Sequence, residues 1–106
     1  MAIHIDNLER LLAKGPDSAV LRFSLGNAYL DADPACAARH FQRAIELKPD
    51  YSAAWKMLGK AHTAAGAIEP ARAAYAQGIA TAQNMGDVQA AKEMRVFLNR
   101  LSRQPK

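Results

Sequence analysis

Residues 55–62 read Trp-Lys-Met-Leu-Gly-Lys-Ala-His, and their Leu58-Gly59 pair repeats the earlier pair Leu25-Gly26. A second set of positions recurs with almost the same spacing: Ala37, Phe41 and Ala44 return as Ala71, Tyr75 and Gly78. The second spacing is longer by one residue, and the difference falls in the turn at Asp33-Pro34, where a deletion is easily absorbed. A period of about 34 residues predicts a solenoid with two helices in each repeat unit.

Turn-forming residues divide the chain into six segments of helical periodicity. These breakers are Gly15-Pro16-Asp17, Asp33-Pro34, Lys48-Pro49-Asp50, Gly66 and Gly86-Asp87. Helices are therefore expected near residues 4–14, 18–32, 34–47, 51–65, 68–84 and 87–102, and no segment has the alternation of a strand. The expected N-terminal caps are Asp6 with Glu9, Asp17 or Ser18, Asp33, Asp50 and Asp87.

The bulk composition fits one ordinary globular domain. Of 106 residues, 50% are apolar and 23% are charged. No run of eighteen apolar residues is present, which excludes a membrane span. Cys36 is the only cysteine, which suits a reducing compartment, and the first residues do not resemble a secretory signal. We therefore expect a cytoplasmic protein that does not enter membranes.

The net charge of +4 is concentrated at the C-terminal end. Residues 1–91 are neutral overall, whereas residues 92–106 carry five basic side chains and only one acidic side chain, Glu93. A solvated terminal helix explains this distribution better than a broad nucleic-acid surface. Contact with nucleic acid through this helix remains the less favoured alternative.

Nothing in the sequence predicts catalysis, a metal site or a cofactor. The serines lie in no nucleophile-elbow motif, and the six glycines are scattered singly rather than forming a phosphate loop. Cys36 and His40 are four residues apart, but two ligands do not make a closed zinc site. His62 is interpreted as a core residue with a hydrogen-bonded ring. The expected protein is therefore not an enzyme.

These residues resemble the tetratricopeptide-repeat family, whose pattern is Trp-x2-Leu-Gly-x2-Tyr, then Ala-x3-Phe, then Pro. The first unit matches this pattern at Leu25, Gly26, Tyr29, Ala37, Phe41 and Pro49, with Arg22 in place of the tryptophan. The second unit matches it at Trp55, Leu58, Gly59 and Ala71. It departs at His62, Tyr75 and Gln83, which stand for tyrosine, phenylalanine and proline. The chain also resembles short bacterial proteins of this type.

The resemblance implies an all-α, right-handed solenoid of antiparallel helix pairs in one domain. Its expected parts are an N-terminal half-repeat helix (1–16), repeat 1 (19–51), repeat 2 (52–85), a C-terminal capping helix (87–102) and a tail (103–106). It also implies a non-catalytic adaptor that binds a protein or peptide. A self-assembling structural module is the main alternative, so the expected state is a monomer or a weak homodimer.

In this family the first helix of each repeat lines a concave groove. The corresponding positions here are Val20, Phe23, Asn27, Leu30, Ala53, Lys56, Lys60 and Thr63. An apolar half beside a cationic half suits a peptide with a hydrophobic anchor and an acidic or C-terminal group. Phe23 and Met57 depart from the family's carboxylate clamp, so a clamped chaperone tail is not expected. The competing interpretation has Phe23 and Leu30 covered by the N-terminal helix and the lysines merely solvated.

Overall fold

In the computed structural model, which describes residues 2–103, the chain forms six α-helices and no strand. The helices are α1 (Ala2–Lys14), α2 (Ala19–Tyr29), α3 (Pro34–Leu47), α4 (Ser52–Ala64), α5 (Ile68–Asn84) and α6 (Val88–Arg103). The expected all-α helical repeat fold is confirmed. Met1 of the expected N-terminal unit and residues 104–106 of the expected tail lie outside the described residues.

Successive helices pack side by side in the order α1 to α6. The first helices of the repeats also contact one another, α2 with α4 and α4 with α6, whereas within the described residues α1, α3 and α5 do not. Closer stacking on one side curves the array toward that side. The wall formed by α2, α4 and α6 is therefore the concave face, and α1, α3 and α5 form the convex face.

The repeated residues form the contact between the two helices of each unit. Leu25 and Leu58 are buried, as are Phe41 and Tyr75. A Cβ atom on Gly26 would lie 2.5 Å from the ring of Phe41, and one on Gly59 would clash in the same way with Tyr75. Glycine costs about 1 kcal/mol relative to alanine inside a helix. The close approach of an aromatic ring to the helix backbone explains why both repeats accept that cost.

Three of the expected N-terminal caps are present, each accepting a backbone hydrogen bond from the first turn of its helix. The Ser18 hydroxyl accepts from Leu21 N at 3.0 Å. The carboxylates of Asp33 and Asp87 accept from the amides of Cys36 and Ala90, both at 3.1 Å. These contacts hold the starts of α2, α3 and α6.

Two other expected caps are wrong. Helix α4 begins at Ser52, and Tyr51 occupies its cap position without a side-chain hydrogen bond, so Asp50 does not cap it. Helix α1 begins at Ala2 rather than near residue 4. Asp6 therefore lies inside the helix, where it cannot accept from a free first-turn amide, and Glu9 serves another purpose described below.

Helices α4 and α5 end in the same way, with a glycine in the left-handed region. Gly66 has φ of 79° and Gly86 has φ of 74°. This conformation is easy only for glycine, which explains why the chain reverses there into α5 and α6. Among residues 2–103, no helix has both the length and the apolar character needed to cross a membrane.

Candidate functional site

The groove positions of the first repeat lie along α2 and differ in exposure. The Val20 side chain is 68% exposed and Asn27 is also exposed, whereas Phe23 and Leu30 are half-buried. The row therefore offers two accessible side chains and two that reach partly into the core. Val20, Phe23 and Asn27 lie on α2 and Leu30 lies at its C-cap, and their use as one groove stays a prediction.

Phe23 packs on two aromatic rings of its own repeat. Its ring stacks on Tyr51 with centroids 5.0 Å apart and meets the edge of Phe41 at 5.6 Å. Helix α1 packs against α2 alone. It is joined there to Tyr29, whose hydroxyl donates to a Glu9 carboxylate oxygen at 2.8 Å.

In the second repeat, Lys56 forms an ion pair with a residue of α6. Its Nζ atom lies 3.1 Å from Oε1 of Glu93, and this hydrogen bond lowers the pKa of the Glu93 carboxyl group below its usual range. The Lys56 side chain keeps 28% of its surface exposed. The competing interpretation had Lys56 merely solvated, whereas in the structure it forms an ion pair with Glu93. The sequence analysis missed Glu93, because the partner lies 37 residues away on another helix.

Lys60 lies over an aromatic ring. Its Nζ atom is 5.2 Å from the ring centroid of Phe97, which is in range for a cation–π interaction. The guanidinium of Arg100 lies 5.6 Å from the same centroid, and the Phe97 ring stacks on Tyr75 at 5.7 Å. Phe97 is therefore part of the packing between α5 and α6, and it orients one of the two groove lysines.

Two cavities open along this wall, and each contains predicted groove residues. The larger has a volume of about 510 Å³ and is lined by Leu30, Asp31, Pro34, Lys60, Thr63 and Ala64. The smaller has a volume of about 220 Å³ and is lined by Ser52, Ala53, Lys56, Asp87, Gln89, Ala90 and Glu93. The Thr63 hydroxyl donates to the Gly59 carbonyl at 2.8 Å, so toward a ligand it can only accept. The structure thus brings together Leu30, Lys60 and Thr63, from different repeats, around one opening.

A comparison with protein families matches residues 31–94, more than half of the chain, to the tetratricopeptide repeat. The chain belongs to the tetratricopeptide-repeat family. Proteins with this repeat generally act as modules for protein–protein interaction and not as catalysts.

Two known proteins support this assignment along nearly the whole chain. A TPR repeat-containing protein of Pseudomonas aeruginosa is 58% identical over 100 residues, which are 93% of this chain and 95% of that protein. The solution structure of a Bordetella parapertussis protein has a TM-score of 0.81 at 43% identity, covering 93% of this chain and 87% of that chain. The resemblance to short bacterial tetratricopeptide-repeat proteins is thereby confirmed.

More distant structures agree on the fold. A tetratricopeptide-repeat domain protein from Salinibacter ruber has a TM-score of 0.74 at 25% identity, with 83% of this chain and 90% of that chain covered. The crystal structure of MamA has a TM-score of 0.69 at 21% identity, with 92% of this chain and 66% of that chain covered. The second of these likenesses concerns the fold alone.

His62, at the tyrosine position of the second tetratricopeptide repeat, does not have the surroundings expected from the sequence. Its ring is half-buried, and no hydrogen bond joins it to a described residue. Burial lowers the pKa of the His62 imidazole. It borders a cavity of about 650 Å³ over α3, lined by Arg22, Ala35, Ala38, Arg39, Gln42, Arg43, Glu46, His62, Ala65 and Ala67. The hydrogen bond expected for the His62 ring is therefore not found among the described residues, and the structural role of His62 stays a prediction.

At the equivalent place in the first repeat, a chain of polar contacts crosses three helices. The Tyr29 ring stacks on His40 at 5.5 Å, and Nδ1 of His40 lies 3.1 Å from Nη1 of Arg22. Arginine is always a donor, so His40 accepts through a neutral Nδ1. Arg22 and Arg43 both donate to Asp17, at 2.8 and 3.0 Å, which lowers the pKa of that carboxyl group to about 2.

In the Cys36–His40 pair, His40 is engaged in these contacts with Tyr29 and Arg22. His40 is 9% exposed, and its Nδ1 atom accepts from Arg22. Within the part of the chain that the structure describes, no group of three or more potential metal ligands comes together. Burial raises the pKa of the Cys36 thiol, which keeps it protonated and a poor ligand.

Proposed function

We propose that the concave wall of α2, α4 and α6 binds a peptide segment of a partner protein. The observation that carries the proposal is the cavity of about 510 Å³, in which Leu30 of one repeat meets Lys60 and Thr63 of the next. A cavity of this size accepts one or two side chains of a peptide. Membership of a family that generally binds proteins supports the same proposal.

The residues of this cavity favour a particular ligand chemistry. Leu30 offers an apolar surface to an aliphatic anchor, and Thr63 accepts a hydrogen bond from a peptide amide. A cation–π interaction at an exposed site contributes only about 0.5–1 kcal/mol. Lys60 can therefore leave the Phe97 ring for a carboxylate at low cost. The preferred ligand is a segment with an aliphatic side chain next to an acidic residue or a free C-terminus.

Lys56 provides a second charge contact in the smaller cavity. Ion pairs near the surface are worth about 0–1 kcal/mol, so Lys56 can exchange Glu93 for a carboxylate of the ligand. Charge reversal of Lys56 would place two carboxylates together and disturb α6. A neutral substitution removes the positive charge without creating that repulsion.

The test uses the purified protein as bait in lysate from its own source, beside a Lys56→Gln/Lys60→Gln variant. The matched control is Arg10→Gln/Lys14→Gln, which removes the same charge from two exposed positions on α1, outside the proposed wall. Circular dichroism first establishes that each variant is folded. A partner retained by the parent and the control but lost by the groove variant supports the proposal. Equal retention by all three proteins contradicts it.

A self-assembling module is a second candidate, favoured by one exposed side chain. Leu11 on α1 is 58% exposed on a helix that packs against α2 alone. A second copy could cover this apolar surface. Sedimentation velocity from about 10 µM to 1 mM tests it. A rise in mass that Leu11→Gln abolishes supports self-assembly, whereas a constant monomer mass excludes it in this range.

A further inference from the structure

The cavity over α3, on the convex side, is best understood by comparing the same positions in the two repeats. One repeat later in the chain, His62 stands at the position of Tyr29, and Gln42 stands at the position of Glu9. In the first repeat the phenol of Tyr29 spans the gap and donates to Glu9 at 2.8 Å. In the second repeat the shorter imidazole and the amide line an open cavity instead. The part of the cavity beside His62 therefore lies at the place that corresponds to the Tyr29–Glu9 contact of the first repeat.

The shape of this cavity suits an elongated ligand. Its lining follows α3 from Ala35 to Glu46, a length of about 16 Å at 1.5 Å per residue. An extended peptide of about five residues covers the same distance. The walls near Ala38 and Ala65 are apolar and lack long side chains, so a ligand side chain can enter between α3 and the α4–α5 turn.

The charges along the cavity favour a carboxylate. Three arginines line it, Arg22, Arg39 and Arg43, against one carboxylate, Glu46. Asp17 pairs with both Arg22 and Arg43, and Arg43 also pairs with Glu46 at 3.2 Å, so these two carboxylates together balance the charge of these two guanidinium groups. No carboxylate of the described residues lies within 4.0 Å of the Arg39 guanidinium. Arg39 is therefore the cation at this surface best able to bind an anionic ligand.

We propose that the convex cavity between Arg39 and His62 is a second binding site, which takes an acidic segment of a partner protein with a small aliphatic side chain. The aliphatic group occupies the space beside His62, and the carboxylate pairs with Arg39. The site lies on the opposite face from the concave groove and does not depend on that groove.

The probe is the pentapeptide acetyl-Glu-Ala-Glu-Leu-Ala-amide. Its second glutamate directly precedes the leucine, so a carboxylate for Arg39 lies next to the aliphatic side chain that enters the space beside His62. The matched control peptide replaces both glutamates by glutamine. Titration of the isotope-labelled protein by heteronuclear NMR should give saturable shifts at the amides of Ala35, Arg39, Gln42 and Ala65, and the glutamine peptide should bind about tenfold more weakly.

Two protein variants locate the site. His62→Tyr places in the cavity the residue that the first repeat already carries, and it should reduce affinity about tenfold or more while keeping the fold. Arg39→Gln changes an exposed side chain and should weaken the acidic peptide about fivefold without affecting the glutamine peptide. Lys56→Gln, on the concave wall, should bind as the parent does.

Several results would overturn the proposal. They are the absence of saturable shifts up to about 10 mM peptide, equal affinity for both peptides, and unchanged affinity in His62→Tyr. Shifts confined to α2 and α4 that are lost in Lys56→Gln would assign the peptide to the concave groove instead. A rise in the mass of the free protein that His62→Tyr abolishes would show that a second copy of this chain, and not a partner segment, occupies the cavity.

Discussion

The two repeats share one apolar frame but fill their convex sides differently. In the first repeat Arg22 and His40 form a polar contact, and Tyr29 reaches across to Glu9. In the second repeat Trp55 stands at the position of Arg22, and buried Ala74 stands at the position of His40. Trp55, Ala74 and an open cavity therefore replace the polar contacts of the first repeat. The shared Leu-Gly pairs and buried rings, called the frame below, hold each helix pair together. The surrounding positions can therefore differ between the two repeats.

The largest effect should come from the shared frame itself. Phe41→Ala and Tyr75→Ala each remove a ring that is at most 2% exposed, and each should lower the free energy of unfolding by about 3–5 kcal/mol. Because the two rings pack on equivalent glycines, the losses should agree within about 1 kcal/mol. Urea denaturation followed by circular dichroism measures both. A loss below about 1 kcal/mol at either site would show that the frame is not equivalent in the two repeats.

A smaller effect should follow from filling the glycine contacts. Gly26→Ala and Gly59→Ala force a methyl group into a packed ring, so each should destabilise the protein by about 1–3 kcal/mol despite the better helix propensity of alanine. Gly15→Ala is the control, since its Cβ would meet only the Leu11 carbonyl oxygen at 3.5 Å. Thermal unfolding of the three variants checks the order. Stabilisation by Gly59→Ala would contradict the ring contact.

The residues behind these two effects are also those from which the sequence predicted the fold. The repeat of Leu-Gly pairs and aromatic residues located the helix pairs, and the bounds of α3 and α5 agree with the structure at both ends. These features depend on neighbours within one repeat, where spacing and period are informative. Asp50 misled because turn residues compete for the cap, and Tyr51 takes that position without a side-chain hydrogen bond.

Less of the candidate site could be predicted from the sequence. The concave row followed from the resemblance, and its use as one groove stays a prediction. The Lys56–Glu93 pair joins residues 37 apart on helices of different repeats, so no local spacing indicates it. The cavity beside His62 depends on the volume left between two helices. The departure from the repeat pattern at His62 was the signal in the sequence, and its meaning required the packing of the helices.

The polar chain of the first repeat should also make stability depend on pH. Burial, followed by the nearby Arg22 guanidinium, lowers the pKa of His40, with Arg39 adding in the same direction and Glu9 and Asp17 opposing. The folded state therefore favours the neutral ring. Its contribution is complete above the unfolded pKa of about 6.5 and is lost as pH falls through the lowered folded value. Burial lowers the pKa of His62 as well, so its contribution has the same sign.

We expect the free energy of unfolding to fall on the order of 1 kcal/mol between pH 7 and pH 5. His40→Gln keeps an acceptor for Arg22 but cannot titrate, so it should remove part of this slope, and adding His62→Gln should remove most of the rest. Asp17 and Glu93, whose pKa values are lowered, lose their contributions mainly below about pH 5, so they add little between pH 7 and pH 5. Urea denaturation at each pH gives the slope. A slope unchanged in the double variant would refute the assignment to these histidines.

The smallest effects test whether the two repeats can exchange their tyrosine-position residues. Tyr29→His should lose the hydrogen bond to Glu9 and part of the ring contact with His40, lowering stability by about 1–2 kcal/mol. His62→Tyr should fill the second cavity and raise stability by up to about 1 kcal/mol. Both are measured by urea denaturation, and circular dichroism establishes that the helices persist. Changes of opposite sign in the free energy of unfolding support equivalent helix packing in the two repeats, with the space at the tyrosine position filled in the first repeat and open in the second. A loss in both variants would mean that the second space is closed to a phenol, and that its shape is set by α3 and the α4–α5 turn and not by the size of residue 62.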